Sequence, residues 1–192
     1  MNVLDIKQSL KKEGIVGLEY RNLDERTRML MLIEIDRDIN SRTLYISDNL
    51  NIQGKNDYSN LLRNAAASGN DMTLAADIKV CLNSHEKPRL LKSGEYSKPP
   101  IMRSNAHEML AEGEFNRFYV RAVCSCAMED GLNNVIVYRA KYVNNPRPES
   151  DAKIGEAISA QALLSDLRAN PGVDTALGLP PGPNSGLSVQ LP

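Results

Sequence analysis

Residues 106–143 read AHEMLAEGEFNRFYVRAVCSCAMEDGLNNVIVYRAKYV, and the two halves of that stretch obey different periodicities. Phe115, Phe118, Tyr119, Ala122, Val123, Cys126 and Ala127 recur at the i, i+3, i+4, i+7, i+8 spacing of one buried helical stripe, which holds both phenylalanines of the chain. Asn105 with Glu108 three residues later approximates a capping box, and Gly131 supplies a stop, so the spacing predicts a helix over 106–130. Val135-Ile136-Val137-Tyr138 alternates too little for an exposed edge and suits a central strand covered on both faces, predicted over 134–143. A long central helix packed on a small sheet is the expected core, and the expected class is α+β.

The flanking sequence is compatible with one globular domain over 1–170. Asn22 before Leu23-Asp24-Glu25 predicts a capped helix over 23–39, largely buried because Leu23, Met29, Leu30, Met31, Leu32, Ile33 and Ile35 cover a wide face. Thr43-Leu44-Tyr45-Ile46 reads as a short strand. Asp57 is the expected cap of a helix over 58–67 ending at Gly69, and Asp71 that of another over 72–81. Pro88, Gly94, Pro99 and Pro100 make 84–104 a loop or irregular hairpin. Beyond the break at Asn144 to Pro148, Ser159 caps a last helix to Arg168, with Ala160, Leu163, Leu164 and Leu167 turned inward.

Residues 171–192, PGVDTALGLPPGPNSGLSVQLP, carry five prolines, four glycines and a single charge, Asp174. A solvated tail usually carries charge and few aliphatics, whereas this one is apolar, so it is expected to lie on protein as an extended arm. Leu187, Val189 and Leu191 alternate with polar residues as in a strand laid with one face down. With Leu177 and Leu179 they are the candidate partner-binding residues. Such a strand can extend a neighbour's sheet or fold back on its own domain.

Among 192 residues, 23 bases oppose 24 acids, and a net charge of −1 gives no whole-molecule field to attract nucleic acid or an anionic membrane. No apolar run reaches the roughly 20 residues that cross a bilayer. Cys81, Cys124 and Cys126 form no disulfide framework, so the chain is expected to be made in a reducing cytosol, with a virion as a later location. Neither a metal nor a cofactor is expected: Cys124-x-Cys126 lacks the C-x-x-C bite, and Cys81, His85 and His107 lack a zinc spacing, the histidines reading as surface residues. Asp77-Ile78-Lys79 has the letters of a nuclease site but lies on an expected helix, and Arg139-Ala140-Lys141 on the strand lacks the carboxylate. The paired acids Glu112/Glu114 and Glu129/Asp130 are ordinary on helix faces, and no nucleophile-elbow, Walker or dinucleotide fingerprint occurs. Lys87, Arg89, Lys92, Lys98 and Arg103 against Glu86 and Glu95 give segment 85–103 three excess positive charges around Tyr96. They are the candidate nucleic-acid contacts of an alternative reading, a binding module or small metal-dependent nuclease.

The blocks EFNRFYVRAVC, VIVYRAK, NPRPES and NPGVDTALGLPPGPNSGLSV, between Glu114 and Val189, resemble stretches of uncharacterised proteins of bacteria and their prophages. The resemblance covers about two fifths of the chain, brings no catalytic residues, and implies at most a phage or mobile-element context. The expected function is a non-enzymatic structural or interaction protein, a phage virion or similar particle component that meets a protein partner or its own copies through the C-terminal arm.

Overall fold

The computed structural model describes residues 17–171 and 186–192, which form six helices and one three-stranded antiparallel sheet, an α+β domain. The elements are α1 (Glu25–Asn40), α2 (Ile52–Ser68), α3 (Asp71–Lys79), α4 (Ala106–Glu129), β1 (Asn134–Arg139), α5 (Pro148–Ala152), β2 (Ala157–Ser159), α6 (Ala160–Ala169) and β3 (Leu187–Gln190). Among the described residues no helix is long and apolar enough to cross a membrane.

Helix α4 is the axis of the molecule. It packs against α1, α3 and α6 on its helical sides and against β1 and β3. The whole stripe read from the sequence, Phe115 to Ala127, is buried. Each fully buried large apolar side chain stabilises by roughly 1.5–3 kcal/mol, so this stripe is the largest apolar contribution of any element. Gly131, at φ +73, ends the helix in the left-handed conformation that glycine adopts without strain.

The sheet order is β2-β1-β3. Strand β1 is central, as expected, but ends at Arg139 rather than 143. Val135 pairs with Ile158 on one side, and Val137 with Val189 on the other. Strand β2 and helix α5 were not expected from the sequence; each is too short to show a period.

Several expected caps sit elsewhere. Asp24, not Asn22, caps α1 by accepting from the Thr27 N–H at 2.8 Å. Asn51, not Asp57, caps α2 through the Gly54 N–H, so that helix begins six residues earlier than expected. Asn70 and Thr73 form a reciprocal capping box on α3, while Asn105 makes no side-chain cap on α4. Helix α3 stops at Lys79 rather than 81. Ser159 caps α6 as expected, accepting from Ala162 N–H at 3.3 Å. The strand expected at 43–46 is absent: the segment joins no sheet among the described residues, and Leu44 and Ile46 pack against the core from irregular backbone. Met29 and Ile33 of α1 face solvent, since the helix buries only the side holding Leu30, Met31 and Ile35.

Candidate functional site

The described part of the C-terminal arm is built into its own domain. Asn116 of α4 donates from Nδ2 to the Leu187 carbonyl at 2.9 Å and accepts the Ser188 hydroxyl at 2.7 Å. The Leu191 N–H donates to Asn22 Oδ1 at 3.1 Å, and Arg21 donates to Gln190 Oε1 at 2.5 Å while stacking over Tyr138. Gly186 adopts φ +68, and a Cβ there would lie 2.9 Å from the Lys141 carbonyl, so only glycine lets the backbone enter the sheet at this point. Leu187 and Val189 are buried in the core, and Leu191 packs against it. Ser188 is buried as well, so the strand is covered on both faces instead of lying with one face down. Leu177 and Leu179 lie outside the described residues.

The basic segment is a hairpin with an irregular ladder. His85 bridges Ile101 and Leu90 bridges Tyr96, with Glu86 N–H donating to the Pro100 carbonyl and Ser97 N–H to the Arg89 carbonyl. Three of its five cationic groups have acidic neighbours: Lys87 meets Asp48 at 2.6 Å, and Arg89 and Arg103 meet Glu86 at 3.3 and 2.9 Å. Lys92 and Lys98 make no ion pair among the described residues. Leu90, Leu91, Tyr96 and Ile101 are 65, 47, 71 and 79 % exposed, an accumulation of uncovered apolar side chains on one short hairpin.

A cleft of about 230 Å³ opens where Gly17, α3, the first turns of α4 and the chain after β1 meet. Asp71 lies in it, 1 % exposed. Its Oδ2 accepts the Leu18 N–H at 2.9 Å, but its Oδ1 accepts no well-formed hydrogen bond. Burial raises its pKa to about 6, assisted by Glu112 and opposed by the amides of Leu18, Asp71 and Met72. Glu112 accepts a hydrogen bond from Lys141 Nζ. His107, which the sequence presents as a surface residue, is buried beside this cleft because α4 turns its first turn toward α3, with Nε2 at 3.9 Å from Glu108. Tyr20 is pushed well above the usual phenol range, first by burial and then by Asp71 and Glu112.

The sequence hid this cluster by supplying a structural role for each member. Asp71 reads as a helix cap, yet Asn70 before it is also a capping residue, and two in succession leave one without that task. That redundancy is the one local sign of the site. Burial raises the thiol pKa of Cys124 and of Cys126, and with the added effect of Cys126 the Cys124 thiol reaches about 12. Among the described residues no three His, Cys, Asp or Glu side chains are grouped to hold a metal ion. Comparison with known protein families, curated proteins and solved structures finds no match to the chain.

Proposed function

We propose that the chain is a non-enzymatic assembly protein whose hairpin 84–103 docks on the body of a second copy. The uncovered quartet Leu90, Leu91, Tyr96 and Ile101 carries this reading, since several large apolar side chains left exposed on one short hairpin, two of them paired across it as Leu90 and Tyr96, are a usual mark of a protein contact. Charge complementarity supports a second copy as the occupant. The hairpin holds three excess positive charges in a chain of net −1, so the remainder of each copy is acidic and complementary to it. A hairpin-to-body contact is head-to-tail, the geometry that builds rings or filaments, and the prophage-type blocks supply the particle context for such a subunit.

The C-terminal strand, by contrast, supports assembly only indirectly, by completing the sheet from which the body is made. Leu177 and Leu179 remain the arm's own candidates for a partner contact. Nucleic-acid binding through Lys87, Arg89 and Arg103 is the weaker reading because Asp48 and Glu86 cancel part of their field.

The test is analytical ultracentrifugation of the wild type beside a Leu90→Asp/Tyr96→Asp double variant. The wild type should self-associate with concentration, and the variant should remain monomeric with an unchanged melting temperature, as both side chains lie outside the core. A wild type that stays monomeric at the highest soluble concentration overturns the proposal.

A further inference from the structure

We propose that the cleft floored by Asp71 is a binding site for a small organic cation, a primary ammonium or amidinium on a short apolar stem. A carboxylate that is 1 % exposed and whose Oδ1 accepts no well-formed hydrogen bond among the described residues is costly to bury, and an N–H donor entering the cleft would satisfy it. The other ionic groups do not serve that oxygen. Lys141 is engaged with Glu112, and His107 approaches Glu108 on the opposite rim. With Lys141 and Glu112 neutralising each other, Asp71 and Glu108 outnumber Lys79 by one charge, which matches a monocation.

Met72 and Ala76, exposed on α3, and the buried Ala75 line the apolar wall against which a stem would lie. The donor set favours an organic cation over a metal ion, because it lacks three grouped His, Cys, Asp or Glu ligands among the described residues. Charge-assisted hydrogen bonds from an ammonium to a poorly solvated carboxylate are about twice as strong as neutral ones, so recognition should depend on charge and not only on shape.

The ionisable groups facing Asp71 are Glu112, His107 and Glu108 on α4, Lys141 beyond β1, Lys79 at the end of α3, and Tyr20 before α1. A group titrating near pH 6 is about nine-tenths protonated at pH 5, so a ligand that requires the carboxylate should bind about tenfold more weakly there than at about pH 7.5.

The experiment is fluorine NMR of 4-fluorobenzylamine with the full chain at both pH values, beside its uncharged counterpart 4-fluorobenzyl alcohol. Expected are line broadening by the protein for the amine at the higher pH, about tenfold weaker binding at the lower, and no binding of the alcohol. Asp71→Asn should abolish amine binding, its fold checked by circular dichroism. Should that variant fail to fold, the wild-type pH series and the alcohol decide. Histidine is the other residue type able to change charge in this range, so His107→Gln is titrated in parallel and should retain the pH effect. Absence of amine binding at the higher pH, equal binding of the alcohol, an unchanged affinity in Asp71→Asn, or loss of the pH effect in His107→Gln would each overturn the proposal.

Discussion

Arg121 and Asp38 meet in a two-pronged ion pair, Nη1 to Oδ2 at 2.6 Å and Nη2 to Oδ1 at 2.8 Å, with the arginine wholly buried. The same guanidinium donates from Nε to Glu34 Oε2 at 2.8 Å, and Arg168 of α6 also donates to Glu34, so one cluster ties α1, α4 and α6 together. Removing Arg121 strands the buried Asp38 carboxylate and leaves Glu34 with Arg168 alone. Arg121→Met should therefore cost about 3–5 kcal/mol in urea unfolding, whereas Arg121→Met combined with Glu34→Leu and Asp38→Leu should recover a large part of the loss.

Burial pushes the Glu34 carboxyl up, but Arg168 and Arg121 pull harder and leave it below its ordinary value of 4.5. A carboxyl held lower in the folded than in the unfolded state contributes stability that is fully present above the unfolded value. It is lost as pH falls through the folded one. The wild type should keep this contribution at neutral pH and lose it on acidification below about pH 4.5. In Arg168→Ala the contribution should be smaller and its loss complete at a higher pH, read from melting temperatures across an acid series.

Asp71 has the opposite sign. Its folded value, about 6, stands above the ordinary 3.8, so keeping it ionised costs stability at neutral pH, by roughly 3 kcal/mol for a shift of about two units. Asp71→Asn should raise the urea midpoint at about pH 7.5, less any loss at the Leu18 contact, and the advantage should shrink as pH falls from 6 toward 4. An advantage that is constant with pH would contradict this assignment.

Tyr20 packs its ring at 5.0 Å from Phe115 and 4.8 Å from Tyr119 while its buried hydroxyl has no partner among the described residues. Tyr20→Phe retains the ring contacts and removes only the unsatisfied oxygen. It should be neutral or stabilising by up to about 1 kcal/mol in thermal unfolding.

Asn116 holds both the Leu187 carbonyl and the Ser188 hydroxyl. Asn116→Ala should cost about 1–3 kcal/mol and speed amide exchange at Ala140, whose N–H donates to the Gly186 carbonyl just before β3, more than in α1 or α2. Uniform acceleration across the domain would show that β3 does not open independently.

The legible part of the fold was the part with a long period. The α4 stripe spans more than three turns, and the run from Val135 to Tyr138 is uniformly apolar, so both elements could be read without a partner in view. Caps were less legible, because Asn22, Asp24, Asn51, Asp57, Asn70 and Asp71 are all competent and local sequence does not decide which one meets a free amide. The exposed apolar residues of the hairpin were hidden among prolines and charges. The Asp71 cleft was legible only in the redundant pair of capping residues Asn70 and Asp71: its other residues stand far apart in the chain, at positions 17, 107, 112 and 141, and only the packing of α3 on α4 brings them together. The described end of the terminus, Leu187 to Leu191, lies on the domain's own sheet and core, a surface set by Asn116 and by the vacant side of β1, neither visible from the tail.

The sheet is completed from the middle outward. Strand β1 is the first of the three to leave the ribosome, and both of its hydrogen-bonding flanks belong to segments synthesised later, β2 about 20 residues on and β3 about 50. During translation the most apolar strand of the protein therefore waits with its amides uncovered, a template for pairing with another nascent chain. Crowded polysomes would make this interval hazardous, and a holding chaperone that recognises extended aliphatic segments would be of greatest use to this protein before residue 190 emerges.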